Sequence, residues 1–162
     1  MLPTDRRALN VAGLLACAGM MGFALFAQHV LMLEPCPLCV FQRVAVIGLG
    51  IAFLVAAIHN PPGPGRWVYA ILVALAAAAG LGVSGRHYWI QNLPPEKVPA
   101  CGAGLDYMLE TLPLTEVMQK VLSGSGECSE VVWEFLGLSM PAWVFICVAV
   151  LGIAGVANNL RR

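Results

Sequence analysis

Four long apolar runs restrict this chain more than any other feature of its sequence. The hydrocarbon core of a bilayer is about 30 Å thick and an α-helix rises about 1.5 Å per residue, so a spanning helix needs about 20 mostly apolar residues. Residues 8–27 hold only Asn10 as a strongly polar side chain, and residues 39–58 are apolar apart from Gln42 and Arg43. Residues 67–85 are rich in Ala and Gly, and residues 140–157 run without a charge. The charged fraction is 11%, where a soluble domain carries about 25%. The predicted fold is an all-α membrane protein, a four-transmembrane-helix bundle in which residues 1–162 form a single domain. A short loop at 28–38 and a long loop at 86–139 share one face. Gly48, Gly50, Gly80, Gly82, Gly152 and Gly155 are expected to let the helix backbones approach closely.

Charge sets the orientation. Four spans place both termini on one side, and Arg6, Arg7, Arg66, Arg161 and Arg162 gather there, which assigns that side to the cytoplasm. The long loop is acidic, with Glu96, Asp106, Glu110, Glu116, Glu127, Glu130 and Glu134 against Arg86, Lys97 and Lys120. No basic stripe suits nucleic acid. The first run could serve as a signal peptide, but it exceeds the usual apolar core of about 7–15 residues and is expected to stay as a span. The cluster Asn60-Pro-Pro-Gly-Pro-Gly65 stops the second helix before Arg66 restarts the chain. In the long loop, Leu114, Val117, Met118, Val121 and Leu122 fall at helical spacing opposite Glu116, Gln119 and Lys120, which predicts a short amphipathic helix in the membrane interface. Trp133, Phe135, Leu136, Leu138 and Trp143 are expected to lead the chain back into the bilayer, with the tryptophans near headgroup depth.

Of the six cysteines, Cys36, Cys39, Cys101 and Cys128 fall on the outer face, and Cys17 and Cys147 fall inside spans. The latter two read as small buried apolar residues. An outward loop of a bacterial inner membrane meets an oxidising compartment, where disulfides persist. Four cysteines permit three connectivities, and the economical one pairs Cys36 with Cys39 and Cys101 with Cys128. A zinc site of four thiolates competes, although only one C-x-x-C is present and the other two cysteines lie 27 positions apart. A purely structural loop disulfide between Cys101 and Cys128 would contribute about 3–4 kcal/mol in the chain-entropy picture, yet it leaves the short pair at a helix start unexplained.

Cys36-Pro-Leu-Cys39 opens the second span. Proline favours the first helical turn, and free N–H groups there stabilise an anion on Cys39. Arg43 lies four residues on, on the same face, and a thiolate beside a helix N-terminus and an arginine is reactive. An arginine inside a span is costly and points to function; its rigid fork suits a carbonyl oxygen. The alternative is that Arg43 only snorkels to the headgroups. His87, at the outer end of the third span, is a candidate hydrogen-bond or proton donor to an electron acceptor. His29 and His59 read as interfacial residues without assigned chemistry.

Glu34-Pro-Cys-Pro-Leu-Cys39, Val40-Phe-Gln-Arg43, the spaced Cys101 and Cys128, and Trp133-Glu-Phe-Leu-Gly-Leu-Ser-Met-Pro-Ala-Trp143 together resemble the disulfide bond formation protein B (DsbB) family of bacterial inner-membrane thiol oxidoreductases. The resemblance spans all four runs and both outer loops. It implies a protein-dithiol:quinone oxidoreductase, monomeric in the membrane, that reoxidises a DsbA-like periplasmic thiol oxidase and passes electrons to ubiquinone or menaquinone. It implies that the reduced partner attacks Cys101 to form a mixed disulfide, with Cys128 as the resolving partner of Cys101. An interloop disulfide between Cys128 and Cys36 follows, and Cys39 delivers electrons to the quinone. Arg43 and, through a looser local match, His87 stand at the quinone site. Gln42 stands where some relatives carry an acid. No metal is implied. The partner is strongly oxidising, at about −120 mV, so a quinone supplies the downhill final step.

Overall fold

A computed structural model describes residues 5–61, 63–98 and 105–161. Four helices are long and apolar enough to cross a membrane: α1 (Arg6–His29), α2 (Pro37–His59), α3 (Arg66–Gln91) and α6 (Met140–Leu160). Two shorter helices, α4 (Leu105–Thr111) and α5 (Leu114–Ser123), lie in the long loop, followed by a hairpin of β1 (Glu134–Phe135) and β2 (Leu138–Ser139). The protein is a four-helix membrane protein, as the apolar runs require.

Local chemistry sets the helix ends. The Asp5 carboxylate accepts from the Arg7 N–H at the start of α1, and the Cys36 sulfur does the same for the Cys39 N–H at the start of α2. Pro37 and Pro141 stand in the first turns of α2 and α6, where a missing N–H costs nothing. Asn60 closes α2 in the left-handed region at φ 34°.

Large apolar side chains point outward, Leu15, Leu75 and Ile153 among them, as expected when lipid replaces water around the bundle. The interior is built from Cys17, Val46, Leu49, Phe53, Val73, Ala77 and Val148. Close approach is real at some of the expected glycines. A Cβ at Gly152 would come within 2.6 Å of the Ala77 Cβ, and one at Gly155 within 2.6 Å of the Phe53 ring. Gly48 and Gly82 meet nothing within 4 Å and serve no such contact. Gly13, absent from the expected set, packs its Cα face on Phe53.

The outer loop departs from expectation in three places. α3 continues to Gln91 instead of ending at 85, so Arg86 and His87 belong to the helix. α5 appears where the spacing places it, but Val117 and Val121 are buried against Leu38, Ile90 and Cys128, while Leu114, Met118 and Leu122 stay exposed. Its apolar face is thus divided between the bundle and the surroundings. Arg86 fastens this helix by donating to the Leu122 and Ser123 carbonyls, both at 3.0 Å, where the C-terminal dipole favours a cation. The third departure is the hairpin, whose tip places Leu136 at φ 53° and Gly137 at φ 77°, the two-residue turn that suits the twist of paired strands. Its Phe135 carbonyl accepts from the Trp143 indole at 3.0 Å, and Trp133 stacks on Phe135 and meets Phe23 edge-on.

Candidate functional site

Three elements bring sulfur together at the outer end of the bundle. Cys36 caps α2, Cys39 sits in its first turn, and the short helical turn Gly126–Ser129 carries Cys128. The hydrophobic contacts of Leu38, Ile90, Met108, Val117 and Val121 press that turn onto the bundle. Cys36 Sγ lies 3.2 Å from Cys39 Sγ. It also lies within 4.8 Å of both Cys128 Sγ and a His87 ring nitrogen. Cys36 is therefore the shared neighbour of a membrane-side sulfur and a loop-side sulfur. Cys101 lies outside the described residues. Cys17 is buried in α1 beside Gly50, as expected, whereas Cys147 is half-buried and lines an apolar cleft between α1 and α6.

Proton affinity is divided unevenly between the two loop-side thiols. Cys128 is drawn down to about 5, first because the Cys36 thiol donates to its sulfur, with backbone groups of Ser125 and Leu38 adding to the effect against the cost of burial. Cys36 is pushed far up for the reciprocal reason: its proton is held by Cys128 first and Cys39 second, and burial penalises its charged form. The Ser125 hydroxyl lies 3.5 Å from Cys128 Sγ. With all the thiols reduced, Cys128 is the sulfur that carries the charge and Cys36 the one that keeps its proton.

His87 is buried, at 2% exposure, and its Nε2 lies 3.7 Å from Cys36 Sγ. Its other nitrogen, Nδ1, accepts from the Gln42 side-chain amide at 3.0 Å. An amide NH₂ donates only to an unprotonated ring nitrogen, so this contact places the proton on Nε2, toward the sulfurs. Gln42 is itself buried. The sequence offers a signal for it in retrospect: it stands three residues after Cys39, on the same helix face.

Arg43 does not spend its hydrogen bonds on sulfur. Its guanidinium donates to the Gln28 side-chain oxygen and, at 3.2 Å, to the Ala24 carbonyl, both on α1. Arg43 and Cys39 nevertheless line one cavity of about 60 Å³, with Gln42, Glu34 and Met140 around it. This cavity shares Met20, Ala24, Met140 and Val144 with an apolar cleft of about 530 Å³ between α1 and α6, walled by Phe23, Trp133, Phe135 and Trp143. A flat apolar molecule with carbonyl oxygens suits this shape: lipid-like walls, one cation and one thiol at the inner end. Cys36, His87 and Cys128 also have metal-ligand chemistry at that spacing, but a metal there would occupy the sulfur that links the other two cysteines.

Comparison with known proteins agrees with this arrangement. A family model described as "Disulfide bond formation protein DsbB" matches residues 6–158. The chain is similar to "Disulfide bond formation protein B" of Marinobacter nauticus, 50% identical over 148 residues, covering 91% of this chain and 88% of the relative. The protein of the same name from Chromohalobacter salexigens is 55% identical over 140 residues, covering 86% and 81%. That of Methylococcus capsulatus is 48% identical over 151 residues, covering 93% and 92%.

Proposed function

The chain belongs to the disulfide bond formation protein B family, and from that premise we propose that it reoxidises a DsbA-like periplasmic dithiol oxidase and passes the electrons to membrane quinone, ubiquinone or menaquinone. Family membership makes it a membrane oxidoreductase of disulfide bond formation. The observation that carries the finer reading is the position of Cys36, with Cys39 Sγ at 3.2 Å on one side and Cys128 on the other.

In this scheme a thiolate of the reduced partner attacks Cys101 of a Cys101–Cys128 disulfide. A mixed disulfide forms and Cys128 leaves as a thiolate. Cys128 then attacks Cys36, making the Cys36–Cys128 bond and breaking Cys36–Cys39, so that Cys39 leaves as a thiolate. Cys128 is already a thiolate when it attacks, because it has just been released as the leaving group from Cys101. The partner's second thiol resolves the mixed disulfide, releasing oxidised partner and Cys101, whose thiolate then attacks Cys128 of the Cys36–Cys128 bond. Cys101–Cys128 re-forms and Cys36 leaves, so that Cys36 and Cys39 are the reduced pair to be reoxidised. Quinone, when bound, supplies the terminal acceptor, taking two electrons and two protons. On the protein side, Arg43, anchored to α1 by Gln28 and Ala24, holds a fixed cation in the cavity that Cys39 lines. His87, oriented by Gln42, keeps an N–H directed at the sulfurs. The arginine-rich end faces the cytoplasm in a bacterial inner membrane, and the cysteine end faces the periplasm.

The test is turnover. Membranes containing the chain, given reduced partner, are expected to reduce added ubiquinone or menaquinone in step with partner oxidation. Correctly folded protein that oxidises no partner thiols in the presence of quinone would sink the proposal. Trapping in a Cys128→Ser variant identifies the soluble partner attached to Cys101.

A further inference from the structure

The bundle end that carries both termini holds polar groups for which the thiol chemistry has no use. Asn10 of α1 and Asn159 of α6, both buried, exchange amide hydrogen bonds at 3.2 and 3.1 Å, and Asn159 also donates to the Gly155 carbonyl at 2.8 Å. That pair is satisfied. Asn158, next to it and 3% exposed, is not. Its Nδ2 donates to the Arg6 carbonyl at 3.0 Å, and its Oδ1 has no partner among the described residues. Turning the amide over would set two acceptors face to face, so the unpaired atom is the oxygen. A buried acceptor of this kind is costly unless something donates to it.

Asn158 lines a cavity of about 320 Å³ between α1 and α6, together with Ala12, Gly13, Phe53, Ala154 and Arg161. Phe53 of α2 forms its floor. A Cβ at Gly13 would come within 2.9 Å of that ring, and one at Gly155 within 2.6 Å, so the ring is wedged between the two helices and keeps them apart. The walls are apolar, and Arg161 at the rim is exposed. Arg6, Arg7 and Arg66 lie at the same end, where the nearest carboxylate in sequence is Asp5, already engaged as the α1 cap. Arg66 donates to the Arg161 carbonyl at 3.2 Å, and its Nε has no partner among the described residues.

An occupant of this cleft needs an apolar chain, an anionic group for the arginines and a hydrogen-bond donor for Asn158. Free phosphate satisfies only the arginines. A headgroup ammonium could donate to Asn158 but would sit among like charges. We propose that the cleft binds one phosphatidylglycerol molecule, with an acyl chain against Phe53, the phosphate at Arg161 and a glycerol hydroxyl donating to Asn158 Oδ1. The site is independent of the thiol relay and lies at the opposite end of the bundle.

Native mass spectrometry of the full chain, stripped of lipid in a neutral detergent and titrated with dioleoyl phosphatidylglycerol, phosphatidylethanolamine or phosphatidylcholine, tests it. The expected result is one retained phosphatidylglycerol per chain, with the other two lipids held at least about fivefold more weakly. Arg161→Gln reduces that preference by about fivefold, the contribution of one basic residue beside an anionic lipid. Ala154→Phe fills the cleft from an exposed position and removes the retained lipid. Both variants should keep the wild-type unfolding midpoint in lipid-free detergent, which separates loss of the site from loss of the fold. Equal retention of all three lipids overturns the proposal, as does undiminished phosphatidylglycerol retention in Ala154→Phe.

Discussion

Replacing Cys36 by alanine removes the thiol that donates to Cys128 and leaves the burial of Cys128 in place. The Cys128 midpoint, about 5 in the intact cluster against an ordinary 9.0, should then rise to the ordinary thiol range or above. The direction follows from the causes: the hydrogen bond from Cys36 favours the thiolate and comes first, while desolvation opposes it. At pH 7 a thiol titrating at about 5 is about 99% thiolate, and one titrating at 9.0 is about 1%, a ratio of about a hundredfold. Nucleophilicity runs the other way. With a Brønsted slope of about 0.4–0.5, the more basic thiolate is about 40- to 100-fold the better attacker. The two effects nearly cancel, so alkylation of Cys128 at pH 7 should change by no more than about threefold.

The contrast opens in acid. At pH 6 the thiolate ratio grows to about 900, and the intact cluster should react about tenfold faster than the Cys36→Ala variant. Ultraviolet thiolate absorbance gives the midpoint directly, using reduced protein in which Cys39→Ser and Cys101→Ser leave Cys36 and Cys128 as the loop thiols. As pH falls through about 5 the Cys128 thiolate signal should be lost, and in the Cys36→Ala background it should already be lost well above pH 7. A midpoint that stays near 5 without Cys36 would refute the claim that one thiol holds the other's charge.

Four further substitutions have expected outcomes. Gln42→Leu leaves His87 Nδ1 buried without its donor, which should lower stability by about 1–3 kcal/mol in detergent unfolding and slow quinone reduction while exchange at Cys101 continues. Arg43→Met should impair quinone reduction in stopped-flow assays with partner exchange intact, and equal loss of both steps would indicate misfolding instead. Gly152→Val meets the Ala77 Cβ at a position where a Cβ already sits 2.6 Å away, so overpacking should cost about 1–3 kcal/mol. Gly82→Val, with nothing within 4 Å, should stay within about 0.5 kcal/mol of wild type by thermal unfolding.

The spans were legible because hydropathy over about 20 residues is a bulk property that lipid reads directly. Helix ends were less so. Residues 86–91 contain Arg86, His87 and Gln91, and polarity alone stopped the third span at 85. The structure continues α3 because Arg86 has carbonyl partners on α5 and His87 has Gln42 on α2, and neither partner is near in sequence. The same limit hid the direction of Arg43. Spacing correctly put it on the Cys39 face, but its hydrogen bonds run to Gln28 and Ala24 across a helix interface. The glycines show the converse: composition marks them all as small, and only packing separates Gly152 from Gly82.

The location of Cys36 at a helix cap accounts for how a loop and a membrane helix can share one sulfur. As the N-cap of α2, its backbone belongs to the loop, while its Sγ accepts from the Cys39 N–H and is held over the first turn. Cys39 belongs to the span and faces the cavity that opens toward lipid between α1 and α6. Cys128 arrives from the opposite direction, on a turn pressed down by Val117, Val121 and Ile90. In the proposed relay, exchange between Cys128 and Cys39 through Cys36 trades sulfur–sulfur bonds between neighbours that already lie within 4.8 Å of Cys36. The extra turns of α3 serve the same end, since a helix stopping at 85 would leave His87 without its fixed place beside Cys36. Shortening α5 so that Val117 and Val121 no longer pack should loosen Cys128 first. The expected result is partner exchange uncoupled from quinone reduction, with the four spans still folded.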